Sequence, residues 1–266
     1  MPFTLSHPAA AIPFLRTRLV PSALVIGCMA PDFEYFALFS PKGHFGHTLL
    51  GAFVFDLPAA FILLWLYHVY AKMPLYTWLP ESVRRRIKLG PAALPVRNIV
   101  QFLLVALSIL VGVATHILWD SFTHSGFWPY DHWPFLHRTV LIPGFGPLEY
   151  ARVLQHVSTV LGAAVILLWF WYWFRKTPPT QPDAAAYPPK NRRAALYVIA
   201  IVALMAPVLA SFLVPGFGNP EHITARRFFF ERGVITAINI FCIGVLTYGV
   251  FTAGARNRLR NKLKDA

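Results

Sequence analysis

Five long apolar runs set the pattern of the chain, at about 48–71, 98–119, 152–174, 194–214 and 233–254. Each reaches the roughly 20 residues a helix needs to cross hydrocarbon. Between them lie short polar connections. An earlier apolar stretch, 19–39, is different: Pro21, Gly27 and Pro31 interrupt it, and Asp32 and Glu34 fall toward its end. Carboxylates and an internal proline are costly in lipid unless they face a cavity or other helices. That stretch reads as a re-entrant or interfacial helical segment that delivers Asp32 to a polar site. Asp56 and Pro58 in the first long run predict that it, too, faces protein at that level. The opening residues through Pro8 read as an extended lead with a helix entry at Ser6, proline suiting a first turn. The pattern predicts an all-α, polytopic membrane helical bundle: about five spanning helices in a single membrane-embedded domain over 1–266, with a basic tail over 255–266.

Composition agrees with that reading. The 266 residues are 56% hydrophobic and 13% charged, too little charge to cover a water-soluble globule. The net charge of +13 raises the question of nucleic acid, but its placement answers it. Arg84, Arg85, Arg86 and Lys88 lie in one connection, a second basic connection covers 175–193, and Arg256, Arg258, Arg260, Lys262 and Lys264 lie in the tail. Basic residues gather on the cytoplasmic side of membrane proteins. The expectation is therefore a multi-pass membrane protein with a cytoplasmic C-terminus, membrane lipids as partners and no nucleic acid. The oligomeric state is left open. Cys28 and Cys242 lie in apolar sequence without metal-ligand spacing and read as packing residues. No cleavable signal pattern stands at the start.

Candidate chemistry collects on the opposite side. His116, Asp120 and His124 recur every four residues, which puts them on one helix face as long as the helix runs through Thr123. By the alternation of crossings, His44 and His47 reach the same extracytoplasmic level, and His156 returns from it one turn inside the third run. Imidazole and carboxylate are the usual ligands of zinc. Asp32, His47, His116 and Asp120 form a candidate shell for one ion, with His7, His124 and His156 available for others. A carboxylate such as Asp120 can bridge paired ions. The competing reading is a structural network that locks the helices. Asp131, His132, His137 and Arg138 sit in an aromatic connection with Trp128, Tyr130 and Trp133, which reads as interface anchoring. Arg226, Arg227 and Arg232 could meet a phosphate or a lipid headgroup. No GxSxG, phosphate-binding Gly loop or CxxC framework appears.

These same residues carry two resemblances. His7-Pro8, Pro31-Asp32, the His44/His47 pair, and His116-x-x-x-Asp120 followed by Thr123-His124 resemble bacterial membrane-bound metal-dependent hydrolases related to zinc-dependent phospholipase C. MPFTLSHPAA, ALVIGCMAPDFEYF and Gln155-His156-Val157-Ser158 resemble a bacterial multi-pass family known only as a domain of unknown function. The first resemblance implies an all-helical fold with Asp32, His47, His116 and Asp120 on one zinc ion, His7 with Asp120 on a second, and His124 with His156 on a third. The chain lacks the ligating N-terminal tryptophan of the soluble enzymes and a carboxylate four residues after His156, which points to one or two ions. The resulting expectation is a zinc-dependent phosphoesterase acting on a lipid or lipid-linked substrate, with Asp32 and Asp120 as catalytic carboxylates. A transporter, a metal-handling protein or a scaffold with a structural His/Asp cluster is the alternative.

Overall fold

The computed structural model describes residues 4–40, 43–90, 93–94, 96–144, 146–180, 191–213 and 225–264; for 213, 225–231 and 255–264 it describes the backbone alone. The protein is a polytopic helical membrane protein. Five helices are long and apolar enough to cross a bilayer: Leu49–Trp78, Ile99–Asp120, Tyr150–Lys176, Arg192–Phe212 and Arg232–Gly254, here the first to fifth spans. They coincide with the five apolar runs, and the last lies within a longer helix, Ala225–Lys264.

The first span outruns its apolar stretch by continuing through two prolines. Each proline follows a π-helical segment, Ala52–Asp56 before Pro58 and Tyr67–Ala71 before Pro74. Proline has no N–H to give the carbonyl four residues back and clashes with it. Those carbonyls, of Val54 and Tyr70, lie inside the widened turns. The helix therefore accommodates each proline without ending.

The N-terminus departs from the extended lead that the sequence suggests. Thr4–Arg16 winds as a 3-10 helix. Pro8 and Pro13 deny it an unbroken α ladder. The stretch 19–39 contains only the short helices Pro21–Gly27 and Phe33–Ala37, joined through a turn at Ala30–Asp32. Neither approaches spanning length. Between the second and third spans, a short helix Trp128–His132 is followed by an antiparallel hairpin, Thr139–Ile142 with Gly146–Glu149, a pairing the sequence reading did not anticipate. Gly144 and Gly146 take φ of +82° and +80° to close it.

The chain forms two compact units. One comprises Met1–Phe33, His44–Ile62 and Pro95–Lys176. Its interior is built on a glycine contact between Pro21–Gly27 and the second span. A Cβ on Gly27 would lie 2.3 Å from the Ile109 carbonyl oxygen, and one on Gly112 would lie 2.4 Å from that of Leu24. Only two bare backbones can come this close, the usual basis of tight helix packing in lipid. Ser108 accepts from the Val20 N–H at 2.9 Å and fixes the start of the short helix. The N-terminal 3-10 helix packs on the third span. There Ser6 Oγ donates to the Thr159 carbonyl at 3.0 Å, and Gly162 leaves room for Ser6.

The other unit comprises Glu34–Gly43, Leu63–Leu94 and Thr177–Ala266. Its fourth and fifth spans pack together, with Gly244 against Ile199, and Gly249 lies on the Tyr70 carbonyl. Trp78 Nε1 donates to the Arg192 carbonyl at 2.8 Å, and Asn239 Nδ2 to that of Phe36 at 2.7 Å. Arg232 Nε donates to the Phe39 carbonyl at 3.2 Å. The side chains of Arg226 and Arg227, named with Arg232 as a phosphate-contacting cluster, lie outside the described residues.

Candidate metal centre

Among the described residues, both metal-capable groups lie within the first unit. His116 and Asp120, one helical turn apart, are fully buried at the C-terminal end of the second span. The Pro21–Gly27 helix ends opposite them, which leaves the Cys28 carbonyl to accept from His116 Nδ1 at 2.7 Å. That bond commits Nδ1 as the donor and leaves a lone pair on Nε2. Metal-bound histidines are oriented in this way by a partner on the other ring nitrogen. Asp32 follows at the turn after Cys28. Thr4 Oγ1 donates to its Oδ2 at 2.5 Å, so Oδ1 alone faces the cluster. His47 arrives from the turn Phe45–His47, directly before the first span. Thr48 caps that span by accepting from the Gly51 N–H at 2.9 Å, and Gly46 fits closely against the Pro31 carbonyl.

Four atoms from three separate stretches now face one another. His47 Nε2 is 3.6 Å from Asp32 Oδ1 and 3.5 Å from Asp120 Oδ2. His116 Nε2 is 3.6 Å and 3.5 Å from the same two oxygens. These separations are too long for good hydrogen bonds. Each is close to the separation, about 3.4 Å, of two ligands that share one zinc ion at a tetrahedral angle with bonds of about 2.0–2.2 Å. An octahedron with the same bonds has an edge of about 3.0 Å. His116 Nε2, Asp32 Oδ1 and both Asp120 oxygens are buried without a hydrogen-bond partner. Such atoms are costly unless something else satisfies them.

His7 adds a fifth side chain. Its ring stacks on His116 with centroids 3.7 Å apart, and its Nε2 lies 3.6 Å from Asp120 Oδ1, the oxygen that the other four atoms do not use. Burial, and then the neighbouring His116 ring, lower the pKa of His7 to about 3, so it is a neutral donor at physiological pH. Burial pushes the Asp32 carboxyl above its usual range. A cation among these oxygens would reverse that penalty. Two groups can hold a metal ion: His7 with His116 and Asp120, and Asp32 with His47 and His116. Both draw on His116, and its one free lone pair serves a single ion at a time.

The family model for a domain of unknown function, DUF4184, matches residues 1–250. The chain belongs to the DUF4184 family. That match spans both units and all the clustered residues. Comparison with curated proteins and with solved structures gives no match.

The remaining histidines of this DUF4184 chain stand apart from the two groups. The second span stops at Asp120, one turn short of His124, so the helix does not run through Thr123 as a shared face with His124 requires. Ser121 Oγ donates to the Leu118 carbonyl and Thr123 Oγ1 to that of Asp120, and such side chains compete with the helical ladder. The His124 N–H still bonds the Asp120 carbonyl at 3.1 Å, and its ring Nδ1 lies 3.2 Å from that oxygen and 3.6 Å from Asp120 Oδ2. With its side chain 29% exposed, His124 forms the rim of the cluster. Burial lowers its pKa. His44 is exposed beside the His47 turn. His156 is exposed on the third span, whereas Gln155 and Ser158 are buried. Neither is in a metal-capable group, so the implied pairing of His124 with His156 is not assembled among the described residues. Asp56 is fully buried, as its place in the first run predicted. It lies beside the His47 turn: a Cβ on Gly46 would come within 3.0 Å of its Oδ1.

Two contributors escaped the sequence reading. Thr4 had a signal, since residues three apart share a face of a 3-10 helix and Thr4 therefore aligns with His7. The Cys28 carbonyl had none, because every residue carries that group.

Proposed function

We propose that this protein is a zinc-dependent hydrolase of the bacterial cytoplasmic membrane that cleaves a phosphoester of a lipid or lipid-linked substrate at the extracytoplasmic face. The observation that carries the reading is the set Asp32, His47, His116 and Asp120, with imidazole nitrogens 3.5–3.6 Å from carboxylate oxygens and with His116 Nε2, Asp32 Oδ1 and the Asp120 oxygens buried without hydrogen bonds. Two imidazoles and two carboxylates suit zinc better than magnesium or calcium, which prefer more oxygens. The two carboxylates also neutralise a divalent ion in a buried site. His7 and the second oxygen of Asp120 offer a smaller second position. The resemblance to membrane-bound hydrolases related to zinc-dependent phospholipase C supports the same chemistry, and the basic connections elsewhere support the orientation.

Bound there, zinc supplies a Lewis acid and an activated water. His116, locked by Cys28, and His47, delivered by the turn before the first span, hold the centre rigidly. Asp120 would offer Oδ2 to the first position and Oδ1 to the second. Asp32 would hold the ion through Oδ1, and its Oδ2, held by Thr4, is the oxygen left to take a proton. His124 at the rim meets the substrate first.

A purely structural network is the weaker reading, because it would hydrogen-bond His116 Nε2, Asp32 Oδ1 and the Asp120 oxygens, which are buried without such a partner. Metal analysis and phosphodiesterase assays on detergent-purified protein, beside Asp120→Ala, test the proposal. Wild-type protein is expected to carry about one zinc per chain and to hydrolyse a phosphodiester, and the variant to lose both. A folded, metal-free wild type whose properties Asp120→Ala leaves unchanged would overturn it.

A further inference from the structure

The connection between the second and third spans has a feature that the metal centre does not use. It is firmly built: Leu136 is buried, Tyr130 N–H donates to the Ser121 carbonyl at 3.2 Å, and Tyr150 N–H donates to that of Arg138 at 2.9 Å. Tyr130 Oη donates to Glu149 at 3.1 Å. Yet this rigid element turns large apolar side chains outward. Trp128 is 64% exposed, Phe135 50% and Leu141 74%. In the hairpin register the exposed positions pair as Leu141 with Pro147 toward the turn and Thr139 with Glu149 at the base, so the exposed face is apolar at its turn end.

We propose that this connection is a lip that rests in the interface of the bilayer, with the hairpin and Trp128 seated between headgroups and acyl chains. Its position follows from the chain, because it begins and ends at the same ends of two spans. The connection leaves a span whose last exposed residues, Leu118 and Trp119, are also apolar. A patch of this kind in water would invite aggregation. Aromatic and apolar side chains at headgroup depth are the membrane alternative. The backbone limits the depth: a two-stranded hairpin has open edges whose polar groups hydrocarbon cannot satisfy. The lip therefore lies at the boundary and does not enter the hydrocarbon centre. The inference stands on surface and topology and is independent of the metal chemistry.

A nitroxide at Leu141→Cys tests it in a Cys242→Ala background; Cys28 is buried and escapes labelling. The full chain is reconstituted in phosphatidylcholine–phosphatidylglycerol vesicles, and the label's collisions with oxygen and with a neutral water-soluble nickel chelate are compared. Leu118→Cys marks the lipid-facing span, and Trp128→Cys gives a second reading on the lip. The expected result is a Leu141 label that meets oxygen several-fold more than nickel, with a ratio between that at Leu118 and that of a free aqueous nitroxide. A ratio equal to the aqueous one would overturn the proposal. So would a label shielded from both reagents, which would mean that protein, such as a second copy of the chain, covers the patch.

Discussion

The second and fourth spans are nearly equal in length, 22 and 21 residues, and both are apolar enough to cross a bilayer, yet they do different work. A third of the most apolar window of the second span is buried, against 6% of the fourth. The second span carries Gly112 for close approach, and Ser108, His116 and Asp120 are buried along it. The fourth turns Tyr197, Val198, Ile201 and Leu204 outward and buries little beyond Ala203. Lipid tails are as apolar as leucine, so apolarity alone makes a helix span but gives it no partner. Small and polar positions decide which spanning helix assembles a site and which one anchors.

The comparison breaks most readily at the centre of the cluster. His116→Ala removes the imidazole that both metal-capable groups share and strips the Cys28 carbonyl of its donor, and bound metal should fall to background in elemental analysis. Val198→Ala on the fourth span should leave metal content unchanged and shift stability by less than about 0.5 kcal/mol. Equal effects of the two substitutions would erase the distinction drawn above. Gly112→Leu comes next. Its first side-chain carbon would already meet Leu24 and Cys28 backbone atoms within 2.4–2.6 Å. Thermal unfolding should report a loss of at least about 1–3 kcal/mol, the usual cost of overpacking, together with lost metal as Cys28 is pushed away from His116. Gly254→Ala, at a glycine with nothing within 4 Å, should be silent in both measurements. Thr4→Val is milder. It frees Asp32 Oδ2 without touching a ligand, and competition against a chromogenic chelator should show metal affinity about 10-fold to 100-fold weaker, as for other residues that orient ligands. An unchanged affinity would mean that Asp32 does not depend on this bond. The smallest effect belongs to the other unit, where Trp78→Phe removes the bond to Arg192 and should cost about 1 kcal/mol with metal content intact.

Particular residues show how far sequence reasoning reaches. The four-residue spacing of His116 and Asp120 predicted their shared face because helix geometry is local. It failed at His124, because the helix end depends on Ser121 and Thr123 turning back to carbonyls, an option their sequence permits but does not require. It failed differently at His156. The third span is apolar through most of its length, so its periodicity does not say which side faces protein; docking of the N-terminal 3-10 helix decides that, and Gln155 and Ser158 turn inward instead. The hairpin was hidden because its strands, 4 residues each, are too short to show a clear alternation.

The amino-acid sequence by itself determined that the chain is a helical membrane protein with five spans, since that follows from the length and apolarity of contiguous runs. It also determined which residue types could chelate a metal. Tertiary structure decided that Asp32, His47, His116, Asp120 and His7 meet while His44 and His156 do not. It did so through contacts remote in sequence, the Gly27–Gly112 approach, the Thr4–Asp32 bond and the Cys28 carbonyl, and no local pattern can encode a meeting between stretches so far apart.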